Sequence, residues 1–529
     1  MIDGPNEDKK IPCTMSTQHP DNVHIPDWCD GDIIRGDAEI YEAYFAYKTL
    51  GCHEVMWDSD GKDVDTRVIR KLLSKHGDYF KEHVIGKDFF LTYRVPNPSL
   101  EAVEKKVLVE TLQNITVAYD VASTFYKNEI APIFEVILPF TRKGSELIRL
   151  YDYYKKAIVA VEDVELDGLI KVKDWVGHFK PKSIQVIPLI EDYDSILIID
   201  RIVETYIDAI KPSTIRVFIA RSDPALNYGL FSAVLLSKLA LSKLKSLEKE
   251  REIPIYPILG VGSMPFRGHL SPENLEGFLS EYKGLSTVTI QSALKYDYPL
   301  ERTKKVVSLL NNRLPNREPI LIEPHEEKIL LTTLHKFRQR YESIVEELAP
   351  LVNSIASYVP RRRERKLHIG LFGYSRNVRG VVLPRAIPFA AALYSLGMPP
   401  EFIGSKILND LKEEEWGILE RYYINMKNDL NTVGNYLSWK NINMLMDMYK
   451  KVAERAGMSG EKLKTVLTKL LDDLKTVEGS LGVKLGPKNT SQRKHENFSN
   501  NFLLSYLEGE NSEAIKAYLE TAKLRRCLG

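Results

Sequence analysis

Two carboxylates in this chain stand at the ends of apolar runs. Val186-Ile187-Pro188-Leu189-Ile190 ends at Glu191, and Val217-Phe218-Ile219-Ala220-Arg221-Ser222 ends at Asp223. Two acids on one rim suit a hard cation: magnesium takes one or two protein carboxylates, keeps several waters and completes its octahedron with substrate oxygens, with manganese as the alternative. Asp223 precedes Pro224 and is equally placed to start a helix. Three arginines share the same kind of position. Arg94 closes Leu91-Thr92-Tyr93-Arg94, Arg385 lies in the apolar Leu383-Pro384-Arg385-Ala386-Ile387-Pro388, and Arg267 follows a loop with Gly260, Gly262 and then Gly268. Glycines let backbone amides approach an anion while a guanidinium fork holds its oxygens. For any one of these arginines a salt bridge to a neighbouring acid is the plainer account. His19, in Ser16-Thr17-Gln18-His19-Pro20-Asp21-Asn22, is pushed toward extended geometry by Pro20, and Asp21 is placed to orient a neighbour. An imidazole that titrates near neutrality is a natural proton acceptor, although a loop histidine is otherwise simply solvated.

Positioning such groups on one rim takes a scaffold of strands. Eight short apolar runs each stop at a polar cluster: His53 to Trp57, Phe89 to Arg94, Ile133 to Leu138, Ile184 to Glu191, Ile215 to Ala220, Ile255 to Gly260, Thr287 to Gln291 and Leu367 to Gly370. Helix-length amphipathic stretches separate most of them, including Leu100 to Ser123 and Leu226 to Glu252. Alternating strand and helix predicts an α/β fold, a (β/α)8 barrel of the TIM type with extra helices, whose strand C-termini carry the site. Residues 1–50 read as an N-terminal arm with a short helix at Glu39 to Thr49, residues 51–385 as the barrel, and residues 386–529 as a helical region packed on it. Pro400 to Met426, Tyr436 to Ala456 and Glu461 to Val477 show helical periodicity, while Gly479 to Ser499, rich in Gly, Lys, Asn and Ser, reads as a mobile loop.

Composition excludes several classes. The 529 residues carry 73 Lys and Arg against 72 Asp and Glu, so no global field favours nucleic acid or an anionic membrane, and any anion site must be local. Cys13, Cys29, Cys52 and Cys527 show no CxxC spacing, which fits a reducing compartment and no structural zinc. No run approaches the length of a membrane span, so the expectation is a soluble cytoplasmic protein.

Taken in order, Ser16-Thr17-Gln18-His19-Pro20-Asp21, Trp57-Asp58-Ser59-Asp60-Gly61, Leu91-Thr92-Tyr93-Arg94, Leu189-Ile190-Glu191, Arg221-Ser222-Asp223, the Gly260 to Gly268 loop, Val288-Thr289-Ile290-Gln291 and Arg385-Ala386-Ile387-Pro388 resemble the motifs of phosphoenolpyruvate carboxylases. The short chain and its Ser-Thr-Gln-His-Pro-Asp-Asn stretch are similar to the archaeal-type branch. The resemblance implies carboxylation of phosphoenolpyruvate by bicarbonate to oxaloacetate and phosphate, through carboxyphosphate and the enolate of pyruvate, in a magnesium-dependent homotetramer. It implies metal ligation by Glu191 and Asp223, a proton-accepting His19, and charge neutralisation by Arg94, Arg267 and Arg385. Trp57, Arg221, Gly260, Gly262, Gly268, Gln291 and Arg376 would line the substrate site, with Trp57 helping to exclude water from the enolate.

Two departures accompany the likeness. Long-type members carry a lysine soon after the metal aspartate, where this chain has Pro224-Ala225-Leu226-Asn227, and a first loop arginine where this chain has Val261. Either Arg221, Arg376 or Arg379 substitutes, as their position at strand ends suggests, or this branch binds phosphate more sparsely. Two other readings stay open at this level. Another magnesium-dependent barrel lyase or aldolase acting on phosphoenolpyruvate or a 2-oxo acid would share the acids and arginines but not the need for bicarbonate. Arg361-Arg362-Arg363-Glu364-Arg365-Lys366 could alternatively form an RNA-binding or docking patch, although its internal acid and lack of aromatics favour a solvated approach to a strand.

Overall fold

The structure is a computed structural model that describes residues 10–314, 318–369, 376–378 and 380–529, with the side chains of residues 376 and 377 left aside. Eight parallel strands close a barrel: β1 (Thr14–Ser16), β2 (Glu54–Asp58), β3 (Phe90–Arg94), β4 (Glu135–Leu138), β5 (Gln185–Ile190), β6 (Ile215–Ala220), β7 (Ile255–Gly260) and β8 (Thr287–Ile290). Seven of them coincide, to within a residue or two, with runs that the sequence marks as strands. The eighth does not. Leu367 and His368 lie in a turn and Gly370 lies outside the described residues, whereas the missing strand is β1, drawn from the segment read as an arm. Met15 of β1 pairs in register with Thr289 on one side and Glu54 on the other. Thr14–Ser16, in the segment read as an arm, therefore contribute a stave of the barrel.

Strand periodicity sorts every side chain to the barrel interior or to the helical layer. Met15, Met56, Ile137, Ile187, Leu189, Phe218, Ala220 and Ile258 form the inner apolar cluster. Below them, Arg216 donates from Nη1 to Glu54 Oε1 and Glu135 Oε2, both at 2.9 Å, and from Nη2 to Glu54 Oε2 at 2.7 Å. This buried ion cluster closes the barrel floor. The parity that puts Glu54 and Met56 inside also puts Asp58 inside, at the opposite mouth.

Around the barrel, the stretch read as one helix from Leu226 to Glu252 is two, Ser222–Tyr228 and Leu230–Arg251, split at Gly229 with φ 86°. A Cβ there would sit 2.7 Å from the Tyr341 ring, so close packing as well as backbone conformation fixes the glycine. The Leu100 to Ser123 periodicity becomes the helix Val107–Tyr126, and the early helix runs over Asp37–Phe45 with a π turn through Leu50. Beyond the barrel, a 33-residue helix, Pro324–Ala356, stacks Phe337 on Phe231 of Leu230–Arg251, with ring centroids 4.5 Å apart. Residues 386–529 are helical throughout their regular elements, as the periodicity predicts. The expected mobile loop is mostly helix. Gly460–Leu481 runs into it, and Thr490–Glu508 starts inside it because Asn489 and Gln492 form a reciprocal capping box. Buried Cys52 and Cys527 have thiols that burial pushes up to about 12, in keeping with small packed side chains.

Replacing Arg216 by Ala would leave Glu54 and Glu135 facing each other without their shared counter-ion. The expected cost is about 3 kcal/mol or more, read as a lower thermal unfolding midpoint.

Candidate active site

The strand C-termini open into one cavity of about 280 Å³. Its walls include His19, Arg94, Glu191, Asp223, Arg267 and Arg385, all six residues for which the sequence suggested a catalytic or metal-binding role. Glu191 directly follows β5 and Asp223 follows β6 by three residues. The two strands are hydrogen-bonded neighbours, with Ile190 paired to Ile219, so both acids leave the barrel side by side. Glu191 is buried and Asp223 half-buried. Among the described residues no group of three or more His, Cys, Asp and Glu forms a metal cluster. A pair of carboxylates on a cavity with room for water fits a cation that draws much of its coordination from substrate and solvent.

Strand register dictates the first cation. Asp58 and Arg94 are paired residues at the ends of β2 and β3, both facing inward. Arg94 donates from Nε to Oδ1 at 2.8 Å and from Nη2 to Oδ2 at 2.6 Å of Asp58, a bidentate fork. The neighbouring Arg94 guanidinium and Lys62 ammonium overcome the burial penalty and hold the Asp58 carboxyl well below the usual carboxylate range.

Arg267 is held from three directions. Nη1 donates to Asp21 Oδ2 at 2.9 Å and to the Gly529 carbonyl at 3.0 Å, Nη2 donates to Gln291 Oε1, and Nε donates to Ser222 Oγ at 3.2 Å. The glycine loop packs this arginine instead of presenting amides to an anion. Gly262 N–H donates to Arg267 O at 2.7 Å and Gly268 N–H to Pro265 O at 3.1 Å, while a Cβ at Gly262 would press on Arg267 at 3.1 Å. Gly268 takes φ 116°. Gly260 abuts the Phe218 ring, which a Cβ would meet at 2.9 Å.

The His19 segment is bonded residue by residue. Thr17 Oγ1 lies 2.8 Å from His19 Nδ1, Gln18 Oε1 accepts from Asp58 N–H at 2.9 Å, and Asp21 Oδ1 accepts from Ala293 N–H at 2.7 Å. His19 is driven well below its ordinary pKa, first by burial and then by the charges of Lys62, Arg94 and Arg267. This shift favours the uncharged imidazole, and in the tautomer whose Nδ1–H donates to Thr17 Oγ1 the acceptor is Nε2.

Several expected residues sit elsewhere. Trp57 is outside the barrel wall, 1% exposed, with Nε1 donating to Asp65 O at 2.9 Å: one step of strand parity from the inward Asp58 turns it away from the cavity. Arg221 is buried behind the loop, donating to Tyr282 OH at 3.0 Å, Phe266 O at 3.2 Å and Pro265 O at 3.3 Å, and so braces the segment that carries Arg267. Gln291 bonds Arg267 from behind the cavity wall. Arg376 lies in the strand Arg376–Val378, with its side chain outside the described residues, as is Arg379 altogether.

The cavity also contains residues that sequence reasoning missed. Lys62 and Asp60 line it, as do Arg361, Arg362, Arg363 and Arg365. Arg362 and Arg363 of the arginine run are buried while Arg361 and Glu364 stay exposed, so only part of the run is the solvated approach that the sequence suggests. Arg362 donates to Val23 O at 2.9 Å and Asn22 O at 3.2 Å, and Arg363 donates to Glu42, which also receives Lys295 at 2.7 Å. Lys295 reaches on to Thr17 O at 2.8 Å. The run straps the His19 segment to the helix Asp37–Phe45.

A parallel eight-stranded barrel whose mouth gathers two acids, a neutral histidine and several guanidinium groups defines an enzyme for small, highly anionic substrates. Residues 11–529 match the family described as phosphoenolpyruvate carboxylase. Curated relatives of that name include one from Metallosphaera sedula, 47% identical over 98% of this chain and 100% of its own length, and one from Caldivirga maquilingensis, 45% identical over 98% and 99%. A third, from Picrophilus torridus, is 45% identical over 98% and 99%. The chain belongs to the phosphoenolpyruvate carboxylase family.

Gly262→Ala alters no cavity-lining atom but presses on Arg267. Since a small misplacement of a binding group can cost up to about a hundredfold, a fall in kcat/KM of about tenfold is expected. Steady-state kinetics on a variant with an unchanged thermal midpoint checks it.

Proposed function

We propose that this protein carboxylates phosphoenolpyruvate with bicarbonate, giving oxaloacetate and phosphate, and that Glu191 and Asp223 hold a divalent cation, magnesium or manganese, for the reaction. The observation that carries the reading is the meeting of these two acids with His19, Arg94, Arg267 and Arg385 on one cavity at the barrel mouth. Family membership supports the substrate pair. When bound, the cation would supply Lewis-acid charge to the phosphate, carboxylate and enolate oxygens of the substrate.

The side chains supply the rest. Phosphoenolpyruvate and bicarbonate together bring four negative charges, which the guanidinium groups of Arg94, Arg267 and Arg385 partly offset as they converge. A bicarbonate oxygen attacks phosphorus and the bond from phosphorus to the enol oxygen breaks, leaving enolate and carboxyphosphate. His19 Nε2 accepts the carboxyl proton of carboxyphosphate as its carbon–oxygen bond breaks, releasing carbon dioxide and phosphate, and the proton then passes to phosphate. The enolate carbon attacks carbon dioxide to form oxaloacetate. The lowered pKa of His19 favours the uncharged form that proton acceptance needs, at some cost in basicity. An aldolase or another lyase on the same barrel would have no requirement for bicarbonate, which separates the two readings.

The reading extends to a cytoplasmic homotetramer. It is supported by free, mostly buried cysteines and by exposed Leu169, Trp175 and Val176, which offer apolar surface. No described helix is long and apolar enough to cross a membrane.

An assay of oxaloacetate with phosphoenolpyruvate, bicarbonate or metal omitted in turn tests the function, and activity is expected to need all three. His19→Asn is expected to release phosphate and pyruvate while oxaloacetate disappears. Undiminished oxaloacetate from that variant would remove His19 from the mechanism. Glu191→Gln is expected to raise the metal concentration for half-activation about tenfold or more, since one ligand's charge is lost. Metal titration of the activity reads it.

A further inference from the structure

We propose that Lys62 is a further catalytic residue, whose ammonium binds the bicarbonate-derived carboxylate opposite His19; the inference rests on the carboxylation reading above. Lys62 is 3% exposed and lines the cavity. A tight turn through Gly61, at φ 71°, brings it back over β2 so that Nζ donates to Asp58 Oδ2, four residues earlier. Burying an ammonium is costly, and Asp58 does not need it. Both Asp58 oxygens already accept from Arg94, and Oδ1 also accepts from Asp60 N–H at 3.2 Å. Among the described residues Asp58 is the hydrogen-bond acceptor of Lys62, so an ammonium with three donors keeps capacity for an anion in the cavity.

The position of that anion follows from the surrounding charges. Lys62 is the foremost of the three cations that depress the His19 imidazole, ahead of Arg94 and Arg267. An anion between Lys62 and His19 offers its oxygens to the ammonium and its proton to the imidazole. Bicarbonate and the carboxyl end of carboxyphosphate have this shape and charge. Lys62 acts in its ammonium form and forms no covalent bond. Burial, with Arg94 and Arg363, outweighs the raising effect of Asp58 and lowers the Lys62 pKa to about 7, so an anion bound beside it shifts Lys62 toward the charged form. Asp58, Asp60, Arg94, Arg363, His19 and Glu39 of the helix Asp37–Phe45 are charged or titratable groups around it.

The test uses Lys62→Met and Lys62→Gln in the full chain, with oxaloacetate production followed against bicarbonate at saturating phosphoenolpyruvate and against phosphoenolpyruvate at saturating bicarbonate. Loss of a charge-assisted hydrogen bond is expected to raise KM for bicarbonate about tenfold to a hundredfold in both variants. KM for phosphoenolpyruvate is expected to stay within about threefold, because Arg94 keeps its fork on Asp58. An unchanged bicarbonate KM, a rise confined to phosphoenolpyruvate, or both constants rising together would overturn the assignment, the last because it marks disturbance of Arg94. Wild-type bicarbonate KM in Lys62→Gln would show that the charge is not needed and would also overturn it. Failure of the carboxylation reading itself is seen separately, as wild-type enzyme that makes no bicarbonate-dependent oxaloacetate.

Discussion

The barrel mouth rests on one carboxylate, Asp58, which holds two buried cations at once. Arg94 grips both its oxygens and Lys62 donates to one of them. Cations crowded around an enclosed cavity repel each other and lose hydration, so each needs an anchor behind it that fixes its direction without neutralising the space in front. Asp58 serves Arg94 and Lys62 in this way, Asp21 serves Arg267, and Glu42 serves Arg363 and Lys295. The wall therefore offers directed positive charge that is already in place when anions arrive, the preorganisation that electrostatic catalysis requires.

These anchors lie on different parts of the chain. Asp58 ends a strand, Asp21 follows the His19 loop, and Glu42 belongs to a helix before β2. The loop that supplies Arg267 is further tied to the helical region through Phe266 N–H, which donates to Glu401 at 2.9 Å, and Tyr394 OH donates to the same acid at 2.7 Å. The extra helices beyond the barrel thus act on the site by holding the backs of the groups that line it.

Much of this was legible in the sequence, and its limits have physical causes. Seven strands announced themselves because a short run rich in apolar, aromatic or β-branched residues ending at a polar cluster is a strong signal. β1 has only Thr14, Met15 and Ser16, too short and too polar to stand out, and its place is set by pairing with β2 and β8. Glu191 and Asp223 were legible because adjacent parallel strands carry their ends to one rim. Trp57 was misplaced by a single residue of parity, and the alternation Glu54, Met56, Asp58 could have corrected it. The strap from Arg361 to Arg365 could not have been found this way, because its partners Asn22, Val23 and Glu42 are remote in sequence and Ile34 meets it only in the tertiary structure. The segment after Gly479 misled through composition, although Asn489 and Gln492 carried a legible start signal.

The contacts of Arg267 and Asp21 with the final residues have a practical consequence. Leu528 N–H donates to Asp21 O at 2.8 Å and Gly529 O accepts from Arg267, so the outermost helical layer and the innermost working group share a joint. Partial melting that frees only the last helices would release this joint while all eight staves remain paired. Turnover would then fade on heating before the bulk spectroscopic signal of the barrel changes, making catalysis an early gauge of fraying at the periphery.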